Sequence, residues 1–430
     1  MVDKQEVLDK HRLHKGKIEV LGKVPVETKE DLSTYYTPGV AYVSEAINAN
    51  VDTAYEYTNK GNTLAIVSDG TRILGLGDVG PEAGLAVMEG KALLFKKFGG
   101  VDAVPLCIRK STEEEIVTFL KQIEPTYGAI NIEDIESPKV LGIVKKAATE
   151  LGIPVFHDDQ QGTSAVVLAA LTNALRLVGK DKSVKITVMG AGSAGMGIAR
   201  LLSFTGFKNI YVLDSSGIIY RGRAKGMNEF KEELANATNP ENVQGGLEDA
   251  IKGADVFIGV SGIAGALNKE LIKTMSERPI VFGLSNPTPE ISYADAVEAG
   301  AFIVATGRSD TPNQINNVVS FPGISRGLLE VHAKTVTPEM LVAAANAMAK
   351  SVGRRLSREM IIPSMVDKTD AIKITQSVAA AVGMKAVEQG AARVIKTDDE
   401  IRRSTKELIM RYRKIEKRCS VSKNKKKKEN

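Results

Sequence analysis

Two acidic pairs stand at the ends of apolar runs: Glu133 and Asp134 after GAINI, and Asp158 and Asp159 after IPVF. In open α/β sheets the carboxyl ends of strands line the ligand crevice, so pairs on neighbouring strands can converge. Three carboxylates without a cysteine or histidine partner suit a hard divalent ion, Mg²⁺ or Mn²⁺, and leave positions for substrate oxygens and water. Acids also gather at strand ends because they cap helices and favour turns. That explanation suffices for one pair and weakens for two. His157 adjoins the cluster, but on a strand its side chain points opposite to that of Asp158, so it reads as a packed residue. His11, His14 and His332 have no supporting constellation.

A second group of residues suits a different chemistry. Gly190, Gly192 and Gly195 form G-x-G-x-x-G directly after the apolar run Ile186 to Met189, and a helical stretch follows. The first glycine permits a tight turn, the second lets a pyrophosphate approach the backbone, and the third lets helix and strand pack closely. Asp214 ends the next apolar run, where an acid would bind the ribose hydroxyls of a dinucleotide. A carboxylate there repels the extra phosphate of NADP, which tips the expectation weakly toward NAD. Ser215, Arg221, Arg223 and Lys225 follow closely and could accommodate that phosphate.

The elements that must position these residues alternate. Strand-like runs TLAIVSDG, VDAVPLCI, GAINIED and IPVFHDD are separated by helical stretches at Pro81 to Phe98, Thr112 to Gln122 and Val140 to Leu151. A long amphipathic helix, Thr163 to Val178, leads to further buried-strand patterns: KITVM, NIYVLD, ADVFIGV, PIVFGL and AFIVATG. Short strands alternating with helices predict parallel sheets. Helices are expected at Pro338 to Val352 and Ala371 to Gln389, then a charged helix from Asp398 to about Arg413 and a disordered lysine tail. No repeat of solenoid length is apparent.

Composition bounds the reading. The 430 residues are 43% hydrophobic and 25% charged, which excludes bulk disorder and suggests two or three domains. No apolar run approaches the ~18 residues of a membrane span, and the start has no secretory h-region. Cys107 and Cys419 are too few for a disulfide scaffold or a cysteine zinc site, so a reducing compartment, by default the cytoplasm, is expected. The net charge of +5 lies mostly in the last ten residues, VSKNKKKKEN, so the body is near neutral and global nucleic-acid affinity is not implied.

The segments YYTPGVA, SDGTRILGLGDVGPEAGLAVMEGKALLFKKFGGVDAVPLCI, INIEDI, IPVFHDDQQGT, MGAGSAG, GLSNPTPE and ATGRSDTPNQINNVVSFPGI resemble those of the malic enzymes. The likeness is to the short bacterial and archaeal type, in order from about Leu13 to Val394. It implies oxidative decarboxylation of (S)-malate to pyruvate and CO₂, with NAD or NADP reduced and Mg²⁺ or Mn²⁺ required. It implies an α/β protein with an N-terminal catalytic domain over residues 1–158, a Rossmann-like, doubly wound NAD(P)-binding domain over 159–394, and a charged helix and tail over 395–430.

Position by position, the resemblance makes Tyr36 the general acid, Lys91 the general base and Asp158 the acid assisting it. It makes Glu133, Asp134 and Asp159 the metal ligands, and Arg72, Lys91, Asn286 and Asn317 the malate contacts. Gly190, Gly192, Ser193, Ala194 and Gly195 form the nucleotide-phosphate turn, with Asp214 and Ser215 beyond it. A base lysine near a cation and partly desolvated is expected to have a depressed pKa. A homodimer is implied, whose interface can share residues between sites, and neither membrane nor nucleic-acid partners are expected, unless the lysine tail binds a polyanion. Two other readings fit the same residues less well: an NAD-dependent decarboxylase of malate to lactate, and a non-catalytic regulator on the same fold.

Overall fold

Two parallel sheets organise the protein. The computed structural model describes residues 3–73 and 75–426, the side chains of 368 and 418–426 excepted. The first sheet comprises β1 (Thr63–Ser68), β2 (Asp102–Cys107), β3 (Ala129–Ile132) and β4 (Val155–His157), in the order β2-β1-β3-β4. All its pairs are parallel, with Val67 opposite Ile132 and Ile132 opposite His157. Every residue of β1 and β3 is buried, as expected of apolar runs covered by helices on both faces.

The crossovers are the helices Pro81–Gly99, Glu113–Ile123 and Lys139–Glu150. Pro81 opens the first of them, and Gly100, in the left-handed region at φ +64°, closes it. The second starts with a capping box between Thr112 and Glu115 and buries Ile116, Val117 and Leu120. Because β1 lies between β2 and β3, the connections leave in opposite directions from β1 and β3, and the crevice opens between their carboxyl ends.

The second sheet comprises β5 (Ile186–Met189), β6 (Ile210–Asp214), β7 (Gly217–Ile218), β8 (Val256–Gly259), β9 (Ile280–Gly283) and β10 (Ile303–Thr306). Its order is β10-β9-β8-β5-β6-β7, the doubly wound dinucleotide-binding order, with a two-residue third strand that runs antiparallel. The reversal of strand order falls between β5 and β8, where the glycine turn leaves β5. The parallel strands match the sequence expectation; β7 was not anticipated.

After β10 the chain returns to the first sheet. The helix Phe321–Glu330 is buried along its whole length and packs against helix 81–99, as does the long C-terminal helix Asp398–Lys426. Inside this joint Arg326 meets Glu330 at 3.1 Å, and Glu330 also accepts from Lys396 at 2.6 Å and Ser404 at 2.8 Å. The C-terminal helix continues well beyond the expected end near Arg413, through lysines assigned to a disordered tail. Lysine, arginine and glutamate are good helix formers, and Asp398, Asp399 and Glu400 favour its N-terminus. The rest of the expected tail, 427–430, lies outside the described residues.

At the other end of the chain, the helices Lys4–His14, Lys29–Tyr35 and Val40–Ala49 were not anticipated, and none buries a residue. Val20 is 100% exposed and Tyr42 75%. Among the described residues, no helix is long and apolar enough to cross a membrane.

Candidate active site

Lys91 projects from the middle of helix 81–99 into the crevice of the first sheet, and its side chain is 17% exposed. Its ammonium forms an ion pair with Glu133 Oε1 at 2.5 Å and a short hydrogen bond to Asp158 Oδ2. The ring of Phe321 lies 4.3 Å from the ammonium and closes the site from below. Glu133 and Asp158 leave the ends of neighbouring β3 and β4, so the strand-end argument places them correctly.

Asp158 begins a wide, π-type turn, Asp158–Gly162, that runs straight into the helix Thr163–Val178. Such turns often mark sites where a side chain must be re-aimed. Gly162 is required here: a Cβ on it would lie 1.9 Å from Asp158 Oδ1 and 3.3 Å from Ser320 Oγ. Asn317 reaches the turn from the far end of the second sheet. Its Nδ2 donates to Asp158 Oδ2 at 3.0 Å, and its Oδ1 accepts from Thr163 Oγ1 at 3.0 Å. Ser320 fastens the same two segments, donating to Gly162 O at 3.1 Å and Asn317 O at 2.9 Å.

The loop after β1 is stitched to the loop after β3. Buried Asp69 accepts from Thr71 Oγ1 and from Lys139 Nζ, both at 2.6 Å. Arg72 N then donates to Asp134 O at 3.1 Å, and Glu136 N to Thr71 Oγ1 at 2.9 Å. Asp134 sits at φ +49°, a conformation that aspartate tolerates better than most residues.

Electrostatics test whether a cation suits this group. Burial pushes the Glu133 carboxyl well above the usual range, and Asp158, Asp159 and Asp134 add to that push. Burial and the charge of Asp159 push Asp134 up to about 7. Four carboxylates therefore share one lysine and the exposed Arg72, an excess of negative charge that a divalent cation would neutralise. The donor set, all oxygen, fits Mg²⁺ or Mn²⁺. Among the described residues, however, no three such side chains already stand around a common point, because Lys91 occupies the space beside Glu133.

The expectation of a depressed lysine pKa is corrected. Burial alone would lower Lys91, but Asp158 and Glu133 outweigh it and hold the ammonium above the ordinary lysine range. His157 is wholly buried, and burial lowers its pKa, in keeping with a packed rather than a ligating ring.

Not every expected residue joins the cluster. Tyr36 caps the helix Lys29–Tyr35 and is 67% exposed, on the N-terminal arm. Asn286 is exposed in the loop after β9, beside β10; a Cβ on Gly307 would lie 2.6 Å from its Nδ2. Thr163, Ser320, Asp69 and Lys139 escaped sequence reasoning. Thr163 and Asn317 are 154 positions apart, and no local spacing links them.

In the second sheet, Gly190 lies at φ +116° and its Cβ would meet Val260 O at 2.6 Å, while Gly195 approaches Gly190 O within 1.7 Å of where a Cβ would stand. Around Gly192 there is open space, and Ser193 and Ala194 are half-buried at the start of the helix Ser193–Phe204. This is the geometry a pyrophosphate needs.

Asp214 is where the sequence placed it, at the end of β6, but its carboxylate is already engaged. Oδ1 accepts from Arg223 Nη1 at 2.9 Å and Ser216 N at 2.8 Å; Oδ2 accepts from Arg223 Nη2 at 2.5 Å and Lys231 at 2.6 Å. Burial opposes ionisation, yet Arg223 and Lys231 prevail and hold the carboxyl at about 2. One acid between two cations leaves a net positive charge here, which offsets the repulsion behind the lean to NAD. Arg223 is deeply buried at 4% exposure, whereas Lys231 keeps 18%. Lys231→Met is expected to remove one of the two cations on Asp214, leaving Oδ2 to Arg223 alone, and to shift the NAD⁺/NADP⁺ ratio of kcat/KM roughly tenfold toward NAD⁺. An unchanged ratio would remove Asp214 from coenzyme choice.

A doubly wound dinucleotide sheet beside a buried lysine among carboxylates is an arrangement suited to a nicotinamide-dependent oxidoreductase. Residues 160–387 match the family described as malic enzyme, NAD binding domain, and residues 15–115 match malic enzyme, N-terminal domain. The chain belongs to the malic enzyme family. It is 47% identical over 409 residues to the bifunctional malic/malolactic enzyme of Bacillus subtilis, covering 95% of this chain and 98% of that one. It is 48% identical to the NAD-dependent malic enzyme of Geobacillus stearothermophilus, over 88% of this chain and 78% of the relative. Among solved structures, the Entamoeba histolytica malic enzyme superposes with a TM-score of 0.92 at 40% identity, covering 98% of this chain and 89% of that one.

Proposed function

We infer that the protein oxidatively decarboxylates (S)-malate to pyruvate and CO₂ and reduces NAD⁺ or NADP⁺, using Mg²⁺ or Mn²⁺. The observation that carries the reading is Lys91, held between Glu133 and Asp158 at the mouth of the crevice. Lys91 takes the C2 hydroxyl proton as hydride leaves C2 for the nicotinamide. Asp158, steadied by Asn317, aims the lysine and pairs with the ammonium that forms. Arg72, Asn286 and Asn317 orient the malate carboxylates, with arginine suited to bidentate contact. A divalent ion held by Glu133, Asp134 and Asp159 would supply Lewis acidity at the C2 oxygen. Asp158 and Glu133 are the two anions that hold the proton on Lys91 against the effect of burial, so either of them taken up by a cation would hold it less firmly. After CO₂ departs, Tyr36 protonates C3 of the enolate and regains its proton from the Lys91 ammonium, which leaves pyruvate and a neutral lysine.

In this reading residues 1–158 supply catalysis, 159–394 bind the coenzyme through the turn Gly190 to Gly195 with Asp214 and Ser215 at the ribose end, and the helix that begins at Asp398 braces the first sheet. The protein works in the cytoplasm as a homodimer. Two features support the dimer: an N-terminal arm rich in exposed apolar side chains, and a general acid, Tyr36, that sits on this arm away from Lys91. The arm of one protomer then delivers Tyr36 to its partner's crevice. Mixing Tyr36→Phe dimers with Lys91→Ala dimers under subunit exchange should restore about one quarter of wild-type activity, because each mixed dimer regains one intact site. No recovery would place Tyr36 in its own chain's site.

Asp159→Asn is expected to weaken Mn²⁺ binding at least ~30-fold, measured by calorimetry; an unchanged titration would remove it from the ligand set. The function itself is tested by assaying malate with NAD⁺ and NADP⁺, with and without Mn²⁺, and identifying the product. Pyruvate with equimolar reduced coenzyme is expected, and the absence of turnover would overturn the reading. The name of the Bacillus subtilis relative favours one addition, malolactic activity, in which lactate forms without net coenzyme reduction.

A further inference from the structure

We propose that Thr163 is a positioning residue for the base pair Lys91–Asp158, acting through Asn317. The inference rests on the reading that Asp158 assists Lys91. Asp158 is fully buried, so water cannot replace a lost donor, and its Oδ2 has two donors, Lys91 and Asn317. The Asn317 carboxamide spans the wide turn. Its nitrogen serves Asp158 at the first residue, and its oxygen takes the Thr163 hydroxyl immediately after the last. The threonine fixes both the amide's rotation and its reach, so the N–H points at the carboxylate. Ser320 holds the backbone of the same junction, bridging Gly162 O and Asn317 O. Among the described residues, the Asn317 side chain is held besides Asp158 by Thr163. Without that hydroxyl the amide can swing, and Asp158 drifts from the geometry in which it directs the lysine. Displacements of about 1 Å at such a pair cost on the order of 10²-fold in rate.

The test compares Thr163→Val, which keeps the shape and removes the donor, with Thr163→Ser, which keeps the donor, each as the full chain with Mn²⁺. Thr163→Val should lower kcat about 10- to 50-fold, with coenzyme affinity and Tm nearly unchanged. Thr163→Ser should return to within about threefold of wild type. In an Asn317→Ala background Thr163→Val should add nothing, because the two act as one unit. Near-normal kcat in Thr163→Val, or multiplying effects in the double variant, would overturn the proposal. Asp158→Asn separates the two levels: full activity there would sink the assisted-base reading itself, whereas a crippled Asp158→Asn beside a normal Thr163→Val would sink only the role of Thr163.

Discussion

Lys91→Ala is expected to lower kcat by roughly 10³- to 10⁴-fold while leaving the dissociation constant of NAD(P)⁺ within about threefold. The glycine turn that holds the coenzyme belongs to the second sheet, so the coenzyme loses no direct partner. Lys91→Arg is the sharper variant. It preserves the positive charge between Glu133 and Asp158, but a guanidinium does not give up its proton in a protein, so it cannot serve as a base. Arginine should therefore keep much of the wild-type Tm and remain inactive. Alanine should also lose stability, because it leaves two buried carboxylates without their cation. Single-turnover fluorescence of the reduced nicotinamide would measure the chemical step directly. Near-normal hydride transfer in Lys91→Arg would end the assignment of the base.

Gly162→Ala should lower kcat by about two orders of magnitude, although the residue carries no functional group. A methyl group there would stand 1.9 Å from Asp158 Oδ1, and the neighbouring atoms have little freedom to move. Ser320 is bonded to Gly162 O on one side, and the main chain of Gln160 packs on Gly197 of the coenzyme-binding helix on the other. Asp158 must yield, which displaces the partner of Lys91 by an ångström or more. Steady-state kinetics should show the loss in kcat at saturating malate. If Gly162→Ala turned over at the wild-type rate, Asp158 would not need to be where the structure holds it.

What could be read from the residues alone was local or periodic. The strands of both sheets announced themselves as short apolar runs ended by glycine or acid. The turn Gly190 to Gly195 was legible because three glycines, a strand and a helix all fall within twenty residues. Glu133 and Asp158 could be paired because both end strands of one sheet. The hidden parts have physical reasons to be hidden. The helix Phe321–Glu330 is buried on every side, charges included, so its polar residues Arg326 and Glu330 do not mark a solvent face as they would on a surface helix. Asp214 was identified correctly, but two cations 9 and 17 residues further on silence its charge, and sequence spacing does not say which way a side chain turns. The N-terminal helices bury nothing within their own chain, so their apolar positions do not follow the core of a single protomer.

The ion pair between Lys97 and Glu416 spans 319 positions at 3.2 Å, and around it the last helices of the chain cover the outer side of helix 81–99. A ribosome adding about 5–20 residues per second needs on the order of 15 to 60 seconds to bridge that interval. Throughout that time the nascent first sheet carries an uncovered apolar flank, a natural place for a chaperone to bind. Cotranslational maturation of the lysine's own helix is therefore deferred until synthesis is nearly finished, and strains that slow late elongation should yield more aggregated than inactive soluble protein.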